Sequence, residues 1–135
     1  MTTAAITRGA HHIGLTIPDL DATRRFFVES LGFEQVGEVP VYPAVFLSDG
    51  STMLTLWQAE DPASATPFDR RRNVGLHHFA MRVDAEALDG LHERLSRLDD
   101  VEIEFAPEDL GGGPARHMMV YIPGGVRMEF IALPA

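Results

Sequence analysis

Apolar and polar residues alternate from residue 12 onward. Ile13, Leu15 and Ile17 take one side, and His12, Gly14 and Thr16 take the other. That period of two predicts a strand with one face on a core and the other lining something else. Pro18-Asp19 ends it, and the period then lengthens. Leu20, Phe27 and Leu31 fall on one helical stripe with Phe26 beside it, which predicts a helix over 20–31 capped by Asp19 and closed by Gly32. Residues 33–39, 44–47 and 53–57 read as three more strands, with turn residues at 40–43 and 48–51 between them. The first half is β-α-β-β-β.

The same order returns after residue 74. Phe79, Met81 and Val83 form one face of a strand, with His78, Ala80 and Arg82 on the other. Asp84 is placed to cap a helix over 85–98, whose Leu88, Leu91, Leu95 and Leu98 make one stripe. Burying that stripe yields roughly 1.5–3 kcal/mol per leucine before entropy is counted, so its role is structural. Strands are expected at 101–105, 117–122 and 126–133, the last two closed around Pro123-Gly124-Gly125. Residues 106–115 carry Gly111-Gly112-Gly113-Pro114 and read as a loop suited to a lid. The expectation is an α+β chain of two tandem βαβββ modules within a single domain over 1–135. Module one spans 10–57, a linker 58–74 and module two 75–133. Residues 1–9 read as a short arm or edge strand.

Composition narrows the function. The chain has 135 residues, 45% hydrophobic and 23% charged, which suits an ordinary globular protein. A net charge of −9 opposes binding to nucleic acid or to an anionic membrane, yet local arginines leave an anionic small molecule open. There is no cysteine, hence no thiolate metal site. The first residues lack an apolar leader and no run approaches the ~20 residues of a membrane span, so a cytoplasmic protein is expected. The basic run Arg70-Arg71-Arg72 in the linker reads as a solvated turn ahead of an anion clamp.

Strand parity selects the chemistry. Met128 and Phe130 suit the core, which turns Arg127, Glu129 and Ile131 to the opposite face. If both opening strands and both closing strands turn their non-core faces to one cavity, His12, His78 and Glu129 converge there. Two imidazoles and a carboxylate make a facial set that holds a divalent metal (Fe, Mn, Ni or Zn) with positions left open. A lone strand-end histidine is more often bonded to backbone; repetition in both halves, with a carboxylate on the parity-matched closing strand, favours ligation. His11 and His77 fall on the wrong parity and are assigned structural or solvent roles. Thr55 matches Glu129 in the first half. Threonine is a poor ligand, so three protein ligands are expected and Thr55 becomes a substrate-contact candidate. His117, Met119 and Tyr121 face the same cavity. His117 and Tyr121 are candidate general acids or bases, and Arg82 and Arg127 candidate holders of an anionic substrate.

The motifs His12-Ile13-Gly14-Leu15-Thr16-Ile17-Pro18-Asp19-Leu20, Phe26-Phe27 with Leu31-Gly32-Phe33, Gly75-Leu76-His77-His78-Phe79-Ala80-Met81-Arg82-Val83-Asp84 and Pro123-Gly124-Gly125-Val126-Arg127-Met128-Glu129 resemble the vicinal oxygen chelate superfamily, the glyoxalase/bleomycin-resistance/dioxygenase group. The resemblance spans almost the whole chain. It implies paired modules curling into an incomplete barrel around one divalent metal, a small-molecule substrate with neighbouring oxygens, and a homodimer. It carries the metal positions onto His12, His78 and Glu129. The fourth family position falls on Thr55, where glyoxalase I and the epimerases carry glutamate or glutamine. That departure favours a dioxygenase-type enzyme over a glyoxalase I-like lyase or isomerase. A metal-free drug- or metabolite-binding dimer is the alternative of another class. Ile122 stands where the family often has aspartate, and Tyr121 sits too close to Pro123 to match the ring-cleaving dioxygenase signature.

Overall fold

A computed structural model describes residues 3–134. Its elements run β1 (His12–Ile17), α1 (Leu20–Arg25) continued by a π turn (Phe26–Ser30), β2 (Glu34–Val39), β3 (Ala44–Ser48) and β4 (Met53–Gln58). After a linker with a 3₁₀ turn at Pro62–Ser64 come β5 (Phe79–Arg82), a 3₁₀ turn (Ala85–Ala87), α2 (Leu88–Ser96), β6 (Glu102–Asp109), β7 (Arg116–Tyr121) and β8 (Arg127–Ala132). The strands form two four-stranded sheets of identical topology, β1-β4-β3-β2 and β5-β8-β7-β6. In each, the opening strand pairs in parallel with the closing one and the others are antiparallel. The tandem βαβββ reading holds, and the sheets do not close into a barrel.

The helices explain which face is the core. α1 packs on β3 and β4, and α2 on β6 and β8. Leu15, Ile17, Leu54 and Leu56 of the first sheet and Met118, Val120, Met128 and Phe130 of the second lie under them in one continuous cluster. The alternation seen in sequence therefore maps onto a helix-covered face and a helix-free face. The modules meet at the covered side: Thr23 Oγ1 donates to the Pro123 carbonyl at 3.4 Å, and Arg94 Nη1 to that of Ser30 at 3.0 Å.

Several local readings change. The helix expected over 20–31 shifts to a π turn at Phe26, which widens the turn and lets adjacent Phe26 and Phe27 both be buried, at 3% and 0% exposure. Phe33 N–H then bonds to the Phe27 carbonyl at 2.9 Å across Gly32, whose φ of +80° suits glycine. Asp19 caps α1 as expected, accepting from Ala22 N–H at 3.0 Å. Asp84 makes no side-chain cap, because a 3₁₀ turn rather than an α-helix follows it. The first four residues of the expected 106–115 loop are strand: β6 runs to Asp109 through two irregularities, with Pro107 tolerated on the sheet edge. Residues 3–9 form no strand, and Met1 and Thr2 lie outside the described residues. Among those residues no helix is long and apolar enough to cross a membrane.

Gly124 locks the modules together. Its φ is +93°, and a Cβ there would come 2.4 Å from Pro18 Cδ at the end of β1. Gly124→Ala should therefore cost about 2 kcal/mol from backbone strain and the clash together, read as a lower denaturant midpoint at unchanged slope.

Candidate metal and acid–base site

The helix-free face of the second sheet gathers the ionisable groups. The pairings Phe79↔Met128 and Ala80↔Glu129 set Glu129 beside the start of β5, where His78 sits. Glu129 is only 8% exposed, and a buried carboxylate needs partners. It has two. His78 Nε2 lies 3.1 Å from Oε1, and His117 Nδ1 lies 2.6 Å from Oε2. Phe105 packs against the His117 ring with centroids 4.9 Å apart, and Glu108 Oε1 lies 3.8 Å from His117 Nε2.

A second cluster adjoins the first. Arg127, 7% exposed, grips Glu104 bidentately, Nε to Oε1 at 2.8 Å and Nη2 to Oε2 at 2.7 Å. Tyr121 O–H donates to Glu104 Oε1 at 2.8 Å and accepts from Arg70 Nη1 at 2.6 Å. The hydrogen bonds from Arg127 hold the Glu104 carboxyl down at about 2, with that from Tyr121 and the charges of Arg127 and Arg70 adding to them. Burial, then the bond to Glu104, pushes the Tyr121 phenol up, so it keeps its proton. Arg127 Nη1 also meets His77 Nδ1 at 3.2 Å, and His77 Nδ1 meets His78 Nδ1 at 2.7 Å. Burial first, then Arg127, lowers the His77 pKa.

The structure brings together His78, Glu129 and His117, with Tyr121 and Arg127 alongside. The fork of Arg127 is spent on Glu104, and the Tyr121 hydroxyl is committed on both sides. Thr55 occupies the place of Glu129 in the first sheet: Gly14↔Thr55 there corresponds to Ala80↔Glu129. It is buried, with its hydroxyl accepting from Trp57 Nε1 at 2.8 Å. Trp57 in turn carries Tyr42 edge-on at 4.7 Å and Phe46 at 5.9 Å, an aromatic wall on the helix-free face.

His12 makes no contact with that group, and Arg82, in register with Ile131 and through it with His117, forms no ion pair there among the described residues. Pro18, Leu76 and Gly124 line one cavity of about 540 Å³. Residues 82–84 line another, of about 700 Å³, with the 49–52 turn that leads into β4 beside His12. β5 thus runs against the direction of β1, with His78 at the Pro18 end. His12 is six residues away at the other end, about 20 Å at strand rise. Among the described residues, no three His, Asp or Glu side chains of one chain are arranged to hold a metal ion.

Three contributors escape the sequence reading. Parity excludes His77, but it precedes β5, where the alternation does not yet apply. Glu104 lies at an irregularity of β6, so no clean period marks its face. Arg70 belongs to a basic run that reads as a solvated turn; Arg71 and Arg72 are exposed, whereas Arg70 reaches Tyr121.

A sequence model described as the Glyoxalase/Bleomycin resistance protein/Dioxygenase superfamily matches residues 9–130. The chain is 29% identical over 147 residues to a 2-epi-5-epi-valiolone epimerase from Actinomyces sp, covering 93% of this chain and 79% of that one. A glyoxylase/bleomycin resistance protein/dioxygenase domain from Frankia sp. superposes with a TM-score of 0.80 at 21% identity, covering 95% of this chain and 93% of that one. A glutamine variant of the fosfomycin resistance protein FosX from Listeria monocytogenes, complexed with Mn(II) and 1S,2S-dihydroxypropylphosphonic acid, gives 0.76 at 19% identity over 96% and 95% of the two chains.

Proposed function

The chain belongs to the glyoxalase/bleomycin resistance protein/dioxygenase superfamily, and on that footing we propose that it is a divalent-metal enzyme moving a proton at a carbon beside an oxygen of a small, oxygen-rich molecule. The observation that carries this reading is Glu129, buried between two imidazoles. His78 Nε2 and Glu129 Oε1 are ligand atoms side by side, and His78 is still one-third exposed, so the donor set fits a hard-to-borderline divalent ion with open positions. When bound, the ion polarises neighbouring substrate oxygens and acidifies the adjacent C–H.

The rest falls to protein groups. His117 Nδ1 donates to Glu129, which leaves Nε2 as the basic atom that takes up and returns the proton, with Glu108 balancing its charge. The aromatic wall of Tyr42, Phe46 and Trp57 offers a ring-sized apolar surface for the carbon skeleton. Since His12 lies at the far end of its strand, the third ligand comes from a second copy. In a two-fold dimer, each module-one face closes over the partner's module-two face, and the contact is self-complementary.

The epimerase relative supports proton transfer, and the FosX structure complexed with Mn(II) and a vicinal diol supports a divalent ion and a substrate with neighbouring oxygens. A dioxygenase-type reaction is the second reading, favoured by Thr55, whose engaged hydroxyl leaves three protein ligands. Oxygen decides between them. A panel of 2-hydroxyketones, cyclic polyol ketones, hemithioacetals and catechols is run with Fe(II), Mn(II), Ni(II) or Zn(II), with and without air. Turnover that persists anaerobically with solvent deuterium entering the product is the expected result. Stoichiometric oxygen uptake would move the assignment to the second reading.

A further inference from the structure

Where the second sheet carries Glu129, the first carries Thr55, and its neighbours there are rings instead of ionisable groups. Across the four strands of the first sheet that row reads Gly14, Thr55, Phe46 and Gly37. Trp57 follows Thr55 on the same face of β4. An indole N–H only donates, and Nε1 gives its one hydrogen bond to Thr55 Oγ1 at 2.8 Å. The hydroxyl oxygen accepts that bond whichever way its own proton turns.

The two glycines leave room for the arrangement. A Cβ on Gly14 would sit 3.1 Å from Thr55 Oγ1 and 3.6 Å from Trp57 Nε1, and one on Gly37 would sit 2.9 Å from Phe46 Cδ2. With both spaces kept open, Phe46 lies tilted at 53° to Trp57, and Tyr42 stands at 79° to it. Trp57 and Tyr42 thus form a corner. It is open to solvent, with Tyr42 58% exposed and Trp57 half-buried. A further ring entering such a corner meets one wall flat and the other edge-on, the two arrangements that aromatic rings favour. Because the indole N–H is spent on Thr55, Trp57 offers only apolar surface there, and the corner selects by shape.

We propose that Trp57 and Tyr42 are specificity residues that take the ring of a cyclic vicinal diol, saturated or aromatic, and that Thr55 is the positioning residue that sets the indole. This rests on the functional reading above, in which the same face of module one closes over the ion held by a second copy. It names the substrate class for that site: two neighbouring oxygens carried on a ring.

Trp57 is the chain's one tryptophan, so a single indole N–H resonance reports on the corner. The full chain, metal-free and loaded with Zn(II), is titrated with three vicinal diols: catechol, the cis diol of cyclohexane and the acyclic diol of hexane. At least one cyclic diol should shift the indole resonance and bind about 3–10-fold more tightly than the acyclic one, the gain of a ring contact over plain burial. Tighter catechol identifies an aromatic ring, and tighter cyclohexanediol a saturated one. Trp57→Leu, followed through the ligand signals, should erase the preference. Thr55→Val should lose about threefold of it and speed indole hydrogen exchange, and Thr55→Ser, which keeps the acceptor, should restore both. A variant that merely loosens the fold would weaken all three diols alike. Equal affinity for cyclic and acyclic diols overturns the proposal. So does an indole that responds to dilution of the protein but to neither cyclic diol, since the corner is then a subunit contact. Unchanged indole exchange in Thr55→Val removes Thr55 from the role given to it. If Zn(II) does not bind, the functional reading fails, and the metal-free titration still decides whether the corner takes a ring.

Discussion

Replacing Glu129 or His78 with alanine should abolish stoichiometric metal binding and lower turnover by more than about 10²-fold, the effect of removing one ligand of three. His12→Ala should do the same although His12 lies far from His78 within its own chain. Mixing chains separates the two explanations. If each site combines His12 of one copy with His78 and Glu129 of the other, a dimer of one His12→Ala and one Glu129→Ala chain contains one intact site. Unfolding and refolding the two variants together should then restore about a quarter of the metal capacity, because half the random dimers are mixed and each regains one site of two. Metal analysis after gel filtration reads this directly. No recovery on mixing, with full loss in both parents, would place all three ligands in one chain and require the modules to rearrange. Retained metal in both His78→Ala and Glu129→Ala would remove the site altogether.

Glu104→Ala should be the most damaging substitution outside the core. It leaves the Arg127 guanidinium, 7% exposed, without its bidentate partner. Removing one member of a buried pair costs about 3 kcal/mol, since the survivor stays buried and uncompensated. For a domain of this size that lowers Tm by roughly 10 °C. Arg127→Met with Glu104→Gln should cost much less, because both charges leave together. The same pair predicts a pH dependence. Glu104 is depressed from 4.5 to about 2 in the folded state. Its contribution is therefore fully present above the unfolded value, near pH 4.5, and is lost as pH falls toward about 2. It amounts to at most about 3 kcal/mol, and less once solvent screening at the partly exposed carboxylate is counted. Denaturant midpoints measured through this window should fall steeply in the wild type and more shallowly in Glu104→Gln. Equal slopes would show that Glu104 is not held by Arg127.

Much of this architecture is legible in the sequence. The period-two alternation at His12–Ile17 and again around Phe79–Arg82 marks strands with one core face, because burial of one side is what fixes register. Asp19 and Gly32 bound the first helix for local reasons, a capping oxygen and a left-handed φ. The repeat of the whole pattern implied two like modules. Parity alone also put Glu129, His117, Tyr121 and Arg127 on one face, since register between neighbouring strands copies alternation across the sheet.

What the chain does where alternation stops was decided by tertiary structure. His77 and His78 precede their strand, so their rings turn toward each other and toward Arg127 instead of alternating. The β6 irregularities bring Glu104 under Arg127, and Arg70 crosses from the linker to Tyr121. No period in the sequence encodes such long-range side-chain meetings. Above all, β1 and β5 run in opposed directions, with Pro18 against Gly124 and Leu76 lining the same cavity, which leaves His12 at the far end from His78. Hydrophobic alternation specifies which face a residue takes, because burial is local to its strand. How two sheets are set against each other depends on the shape of the core between them, and that decides whether a metal site closes within one chain or between two.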